Sequence, residues 1–172
     1  MPMPDNVMRT IRLDKVVVNI GTGNDDQKQA NARRLLEVLT GRKPVNEISR
    51  KRIPSFKISP GTKIGAYVTV REGQKELARR LLEAVDNKVK KGSISNNTVS
   101  FGMKEYIDIT GLKYDPKIGM LGMNVNLSFK RPGMRVAERK LKSGRVGKAH
   151  AVVTRQEVED YLAREFKVEI VQ

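Results

Sequence analysis

Cysteine and tryptophan are absent from the 172-residue sequence, and aromatic residues make up only 5% of it. Without cysteine the chain can form neither a disulfide nor a zinc knuckle, and a cytoplasmic location is expected. The one histidine, His150, has no carboxylate close to it in the sequence, so neither a histidine metal cluster nor an imidazole-based triad is expected. We therefore predict a protein that is not an enzyme and needs no metal or other cofactor.

Long apolar runs and acidic residues are also scarce. No run approaches the 18 apolar residues of a membrane-spanning helix, and the first nine residues lack the apolar stretch of a signal peptide. Asp and Glu number 19 against 34 Lys and Arg, which gives a formal net charge of +15. This excess predicts a polyanionic partner, and it favours nucleic acid over an anionic membrane surface.

The positive charge is concentrated in two segments. Residues 42–57 carry six cations and one acid, Glu47, and residues 130–148 carry eight cations and one acid, Glu138. A solvated face normally mixes both signs, so ordinary solubility explains these segments poorly. The cations of the second segment, called the basic segment below, are Lys130, Arg131, Arg135, Arg139, Lys140, Lys142, Arg145 and Lys148.

Hydrophobic periodicity predicts an α+β fold. Its core has the order β-α-β-β-α-β, an antiparallel β-sheet with helices packed on one face, followed by long basic loops and a C-terminal helix. We expect one domain over residues 1–172, with a core of about 10–130 and an extension of about 131–172. Strands are predicted at 12–20, 45–50, 62–71, 98–103 and 118–130, helices start at Asp25 or Asp26, at Gly73 and at the Thr154 capping box, and 88–97 and 133–153 are irregular.

Strand alternation also predicts a polar surface. If the helices cover Val16, Val18 and Val68, the opposite face of the sheet displays Lys15, Asn19, Tyr67 and Thr69. Spacing alone does not distinguish an RNA-binding platform from an ordinary solvated sheet face.

Two nucleotide-binding patterns are incomplete. The turn Gly21-Thr22-Gly23 follows a strand, but a dinucleotide fingerprint requires glycine where Asp26 stands, so a tight turn before a capped helix is favoured. The strand order is similar to that of an RNA-recognition motif, yet Tyr67 is the only aromatic residue expected on the exposed face. Recognition of the backbone and shape of structured RNA is therefore favoured over base stacking along the sheet.

Four motifs together carry a family resemblance over nearly the whole chain: "KVVVNIGTG", "LTGRKPV", "RKRIPSFKISPGTKIGAYVTVR" and "YDPKIGMLGMNVNLSFKRPGMRVAERK". In this order they resemble large-subunit ribosomal protein five, the family that binds 5S ribosomal RNA in the central protuberance. The chain after Arg131 is similar to archaeal and eukaryotic members rather than bacterial ones. The antiparallel sheet of that family agrees with the fold predicted above.

The resemblance implies two RNA-binding sites. Lys15, Asn19 and Thr69 match the family positions that hold 5S RNA, so the resemblance implies that they contact it here. Arg42 is added to this set, in a turn where bacterial members often carry glutamine. The loop 50–61 is expected to reach the elbow of the P-site transfer RNA, where cations suit phosphate and Phe56 or Ile53 packs on sugar or pins the loop against itself. A role of the cations in solubility alone is the alternative. The loop residues assigned to transfer RNA are Arg50, Lys51, Arg52, Phe56 and Lys57.

The resemblance also implies a set of partners in the large ribosomal subunit of the cytoplasm. These are 5S RNA, large-subunit ribosomal RNA contacted by the basic segment, P-site transfer RNA, neighbouring large-subunit proteins, and small-subunit ribosomal protein thirteen across the subunit interface. Two alternatives of other classes are a nucleotide-dependent RNA-modifying enzyme, for which no phosphate cradle is visible, and a free RNA chaperone or translation regulator.

Overall fold

The computed structural model describes residues 6–171 and has the predicted α+β architecture. Its strands are β1 (Arg12–Gly21), β2 (Val45–Ile48), β3 (Lys63–Val70), β4 (Lys88–Lys90), β5 (Ile94–Ser95), β6 (Thr98–Met103), β7 (Met123–Lys130) and β8 (Glu169–Val171). Its helices are α1 (Asp26–Thr40), α2 (Gln74–Glu83), α3 (Arg135–Glu138), α4 (Lys148–Ala151) and α5 (Arg155–Phe166). No helix in this part of the chain combines the length and the apolar character needed to cross a bilayer.

Six strands form one sheet in the order β2-β3-β1-β7-β6-β5, and every pairing in it is antiparallel. Strand β1 lies inside the sheet between its two long neighbours, with Val16 opposite Val70 of β3 and opposite Leu127 of β7. The short strand β2 forms one edge, as its length predicts. The register aligns the apolar residues of β1, β3 and β7 on one face of the sheet.

The apolar face of the sheet is covered by helices. Val16, Val18 and Ile20 of β1 are fully buried, as the alternation predicts. Leu36 of α1 and Leu81 of α2 are equally inaccessible, so the helical stripes meet the sheet as expected. Helix α5 closes the core, where the Tyr161 ring lies edge-on to Phe129 with centroids 5.4 Å apart. Burial of each such side chain stabilises the fold by about 1.5–3 kcal/mol.

The helix ends follow the capping residues in the sequence. Of the two candidate caps of α1, Asp25 is the N-cap, and its carboxylate accepts hydrogen bonds from the backbone N–H groups of Gln27 and Lys28. The hydrogen bond from the Lys28 N–H is the main reason that the pKa of Asp25 lies below its usual value. Gly41 ends the helix with a φ of 62°, which glycine adopts without strain.

Three parts of the chain differ from the prediction. Residues 88–97, predicted to be irregular, contain β4 and β5, and β4 forms a second, parallel sheet with the unpredicted β8. Strand β7 begins at Met123 and not at residue 118 as predicted. The chain from Asp115 to Gly119 instead forms a turn in which Gly119 has a φ of 72°. Residues 133–153, predicted to be irregular, include the one-turn helices α3 and α4.

Candidate nucleic-acid interface

The face of the sheet opposite the helices is a continuous polar surface, called the polar face below. In the middle of this face, Val17 lies opposite Thr69 of β3 and Asn126 of β7. Two residues further along β1, Asn19 lies opposite Tyr67 and Asn124. The polar face comprises Lys15, Val17, Asn19, Tyr67, Thr69, Ser100, Asn124, Asn126 and Ser128. All of these residues are half-buried or exposed.

Three of the four residues assigned to 5S RNA lie together on this surface. Lys15 and Asn19 project from β1, and Thr69 lies opposite the residue between them. No acid of residues 6–171 lies within 4 Å of the Lys15 ammonium group, so this cation is available to an anion. The structure thus brings Lys15, Asn19 and Thr69 to one site, as the alternation predicts.

Arg42, the fourth residue, lies apart from the polar face. It is exposed in the turn between α1 and β2, and its guanidinium group forms an ion pair with Glu72 at 2.9 Å. Glu72 is 89% exposed, so this pair is strongly solvated. Such a pair is easily exchanged for a phosphate contact.

Asn19 has one hydrogen bond and one unused acceptor. Its Nδ2 donates to Glu47 Oε2 at 3.3 Å, whereas its Oδ1 is buried and finds no partner within residues 6–171. Buried polar atoms are rarely left without a partner in folded proteins. The sequence contains one signal for the Glu47 contact. Gly65, which lies opposite Glu47 in the ladder, has no side chain that would block it.

Residues 49–61 form an ordered hairpin loop. Ile53 and Ile58 exchange backbone hydrogen bonds of 2.9 and 3.1 Å, and Pro54–Phe56 forms a turn of 3-10 helix between them. Ile58 is buried, whereas Phe56 is 71% exposed. The loop is therefore pinned by the Ile53–Ile58 bridge, and the Phe56 ring is presented to solvent.

The cations of this loop are also presented to solvent. Arg50, Lys51, Arg52 and Lys57 are exposed, and none has an acid within 4 Å in the part of the chain that the structure covers. Since the loop itself contains no acid, its local field is strongly positive.

Arg131 of the basic segment is occupied inside the protein. It is only 8% exposed, and its Nη1 donates to the carbonyl oxygens of Ala149 at 2.7 Å and Val152 at 3.2 Å. Its Nη2 forms an ion pair with Glu157 at 2.5 Å. Burial alone would raise the pKa of Glu157, but hydrogen bonds from Thr154 and the charge of Arg131 together hold it below the usual value.

Lys130 is also paired, but the other cations of the basic segment are free. Its ammonium group contacts Asp14 at 2.5 Å and Glu138 at 3.6 Å, and the hydrogen bond to Asp14 raises the pKa of Lys130. The remaining cations are exposed, with no acid within 4 Å among residues 6–171, and Arg139 alone makes an internal contact, to the carbonyl of Lys142. These are Arg135, Arg139, Lys140, Lys142, Arg145 and Lys148.

Metal ligands and His150 were also examined in the sequence, and the structure shows where they lie. The described chain contains no group of three or more His, Cys, Asp or Glu residues that could hold a metal ion. A ring nitrogen of His150 lies 2.7 Å from the carbonyl oxygen of Pro132, so this histidine helps to pack the basic segment.

Asn124, Asn126 and Ser100, which widen the polar face, were not assigned to a site from the sequence, although the alternation in β7 already places Asn124 and Asn126 opposite its core residues.

Comparison with known proteins identifies the family of the chain. The family model for ribosomal protein L5 matches residues 6–58, and a second model, for the C-terminus of the same ribosomal protein family, matches residues 63–159. The large ribosomal subunit protein uL5 of Sulfurisphaera tokodaii is 41% identical over 170 residues, covering 97% of this chain and 96% of that protein. The uL5 of Nanoarchaeum equitans is 39% identical over 169 residues, covering 97% and 99%.

A third relative, uL5 of Cenarchaeum symbiosum, is 42% identical over 166 residues, covering 95% of this chain and 98% of that protein. The resemblance inferred from the four motifs is thus confirmed over nearly the whole chain, and these three relatives are archaeal proteins. The chain belongs to the uL5 family of large-subunit ribosomal proteins, and it is an RNA-binding structural constituent of the large ribosomal subunit in translation, not an enzyme.

Proposed function

We propose that the polar face binds 5S ribosomal RNA and attaches it in the central protuberance. The observation that carries this proposal is the convergence of Lys15, Asn19 and Thr69 on one surface that no helix covers. Lys15 supplies a free cation for phosphate, and Asn19 and Thr69 supply polar groups for ribose or base edges. Arg42 adds a phosphate contact at the margin once it leaves Glu72.

The hairpin loop and the basic segment serve other RNA contacts in this proposal. The loop 50–61 reaches P-site transfer RNA, because its exposed cations and the Phe56 ring lie on a hairpin that follows the edge strand β2. The six free cations of the basic segment contact large-subunit ribosomal RNA. Neighbouring large-subunit proteins and small-subunit ribosomal protein thirteen are the proposed protein partners, in the cytoplasm.

The test of the 5S proposal removes one polar group at a time. Asn19→Ala and Thr69→Ala should each weaken 5S RNA binding about 5- to 150-fold, since a lost contact that leaves a partner unsatisfied costs about 1–3 kcal/mol. Affinity is measured by titration with isolated 5S RNA. Asn96→Ala and Thr110→Ala, at exposed turn positions away from the polar face, are the matched controls and should bind as wild type.

The folded state must be checked beside the affinity. Thermal unfolding should show nearly unchanged midpoints for Asn19→Ala and Thr69→Ala, because both side chains leave the helix-covered face. Variants that melt early but bind 5S RNA normally when folded would make these residues structural and overturn the proposed site.

A further inference from the structure

One acid stands beside the polar face of this strongly basic protein. Glu47 of β2 is the only acid between Arg42 and Lys57, and it is half-buried. No cation of residues 6–171 lies within 4 Å of its carboxylate. A carboxylate without an ion pair on a surface that binds RNA repels phosphate and favours a group that offers hydrogen-bond donors instead.

Missing side chains open the space in which this carboxylate lies. Glu47 is opposite Gly65 of β3, which in turn is opposite Gly21 of β1. Glu47 Oε2 lies 3.5 Å from the position that a Cβ atom on Gly65 would take, so it occupies part of the gap. A Cβ atom there would also lie 2.7 Å from the carbonyl oxygen of Ile20, which explains why the position is glycine.

A groove of about 690 Å³ lies beside Glu47 at the edge of the sheet. Glu47, Arg50 and Tyr67 line it together, with Asn46 and Ile48 of the edge strand. Its size is within the range of small-ligand sites. The half-buried Tyr67 supplies an aromatic surface for one base, and the exposed Arg50 supplies a cation at the rim.

We propose that Glu47 and Tyr67 form a pocket for one unpaired RNA base that presents N–H donors, and that guanine fits it best. The Watson–Crick edge of guanine offers two adjacent donors, N1–H and N2–H, to a carboxylate, whereas uracil offers one. The base stacks on the Tyr67 ring. The inference rests on the proposed 5S function, to which it adds a base-specific contact.

Glu47 also orients the neighbouring Asn19. Because Glu47 Oε2 accepts the hydrogen bond from Asn19 Nδ2, the amide oxygen of Asn19 must point the other way. That oxygen is the buried acceptor without a partner among residues 6–171. A nucleotide that reaches this oxygen satisfies it by donating a ribose 2′-hydroxyl or an amino group, so the pocket and the polar face act on the same RNA.

The first test compares affinities for two RNAs. Glu47→Gln should weaken binding of 5S RNA about 5- to 10-fold, yet leave binding to a fully paired duplex RNA unchanged or tighter at the same salt. Glu83→Gln, which removes the same charge at an exposed position of α2, is the control and should not weaken either. If Glu47→Gln instead tightens 5S binding, Glu47 merely opposes phosphate and the pocket is excluded.

The second test reads the base directly. Wild-type protein should bind the single-stranded RNA UUGUU about 5-fold more tightly than UUUUU, and Glu47→Gln and Tyr67→Ala should abolish the difference. Equal binding of the two pentamers by wild type would overturn the proposal. Failure of the 5S function is a separate result: wild-type protein would then bind 5S RNA no better than duplex RNA, whatever the pentamers show.

Discussion

At the scale of single residues, Arg131 joins three separate parts of the chain. It follows β7, and its side chain contacts the carbonyl oxygens of Ala149 and Val152 and the carboxylate of Glu157. Lys15, by contrast, has no acid within 4 Å in the described chain. Two cations of equal formal charge thus lie in different environments. Arg131 is buried and paired inside the protein, whereas Lys15 has no acidic partner in the described chain.

Because Arg131 is paired inside the protein, we expect its replacement to lower the stability of the fold. Arg131→Met removes the ion pair and three hydrogen bonds to carbonyl oxygens, and we expect the free energy of unfolding to fall by about 2–4 kcal/mol, less than for a fully buried pair because Glu157 keeps some water. Urea unfolding measures the change. Arg145→Met, at an exposed position of the same segment, should leave stability within about 0.5 kcal/mol of wild type. Equal stability of the two variants would contradict the structural role.

The low pKa of Glu157 makes this contact sensitive to acid. Because the folded pKa lies below the ordinary value of 4.5, the contact stabilises the protein fully above that pH and ceases to do so as the pH falls through the folded pKa. The stability difference between wild type and Glu157→Gln should therefore shrink as the pH falls below 4.5. Denaturant unfolding at a series of pH values measures it.

A double-mutant cycle isolates the charge of Arg131 in this effect. Glutamine keeps the capping hydrogen bond at the start of α5, so the substitution removes mainly the charge. In the Arg131→Met background the effect of Glu157→Gln near pH 7 should be smaller than in wild type. The same effect in both backgrounds would show that Arg131 and Glu157 are not coupled.

At the scale of elements, the hairpin loop is set apart from the sheet to which it is attached. Its own backbone bridge between Ile53 and Ile58 orders it, so its cations are held on a defined turn without help from the polar face. A loop ordered in this way loses less conformational entropy on binding RNA than a free one. This separation allows the two proposed RNA sites to be tested independently.

The prediction for the loop concerns transfer RNA. Lys51→Ala with Arg52→Ala should leave 5S binding and incorporation into subunits nearly intact, whereas the subunits should hold P-site transfer RNA less well. The deficit should grow as salt is lowered, because screening then hides less of the lost charge. Retention is compared between ribosomes of equal 5S content.

Arg33→Ala with Arg79→Ala is the matched control for the loop variant. These two arginines are exposed on helices and have no acid within 4 Å among residues 6–171, so the same charge is removed elsewhere. Equal transfer RNA retention by the loop variant and wild type at low salt would assign the loop to solubility. A loss of 5S RNA would move the loop into the anchoring site.

Whole elements differed in how well the sequence predicted them. Helix α1 and strand β1 were predicted within one or two residues, because an N-cap, a terminal glycine and a long alternation mark them. Strands β4 and β8 were missed, since each has three residues and its only strand partner in the described chain lies far away in the sequence. Local pattern contains no information about such a pairing.

The candidate site was predicted to a similar extent. Alternation brought Lys15, Asn19 and Thr69 together because one residue period decides the face of a strand. It did not reveal that Arg131 is internal, because the acid that pairs with it, Glu157, is 26 residues further along the chain. Charge counts in a sequence do not separate exposed cations from buried ones.

At the scale of the whole molecule, the net charge of +15 predicts strongly salt-dependent RNA binding. The logarithm of the 5S affinity should fall linearly with the logarithm of salt concentration, with about 0.7–0.9 in slope for each phosphate contact. Titrations at several potassium chloride concentrations measure the slope. Lys15→Ala should reduce it by about one contact, and a slope near zero in wild type would contradict phosphate recognition.

The contact between Arg131 and Ala149 also has a consequence for avidity. It fixes both ends of the stretch from Pro132 to Lys148, so that the six free cations lie on a closed loop beside the core. The entropy of closing that loop is lost already during folding. In the proposed complex, in which the polar face binds 5S RNA, the loop would therefore meet nearby RNA at a high effective concentration, and each further contact would be an intramolecular step. Releasing the loop by Arg131→Met should thus raise the RNA dissociation rate, although Arg131 itself is buried.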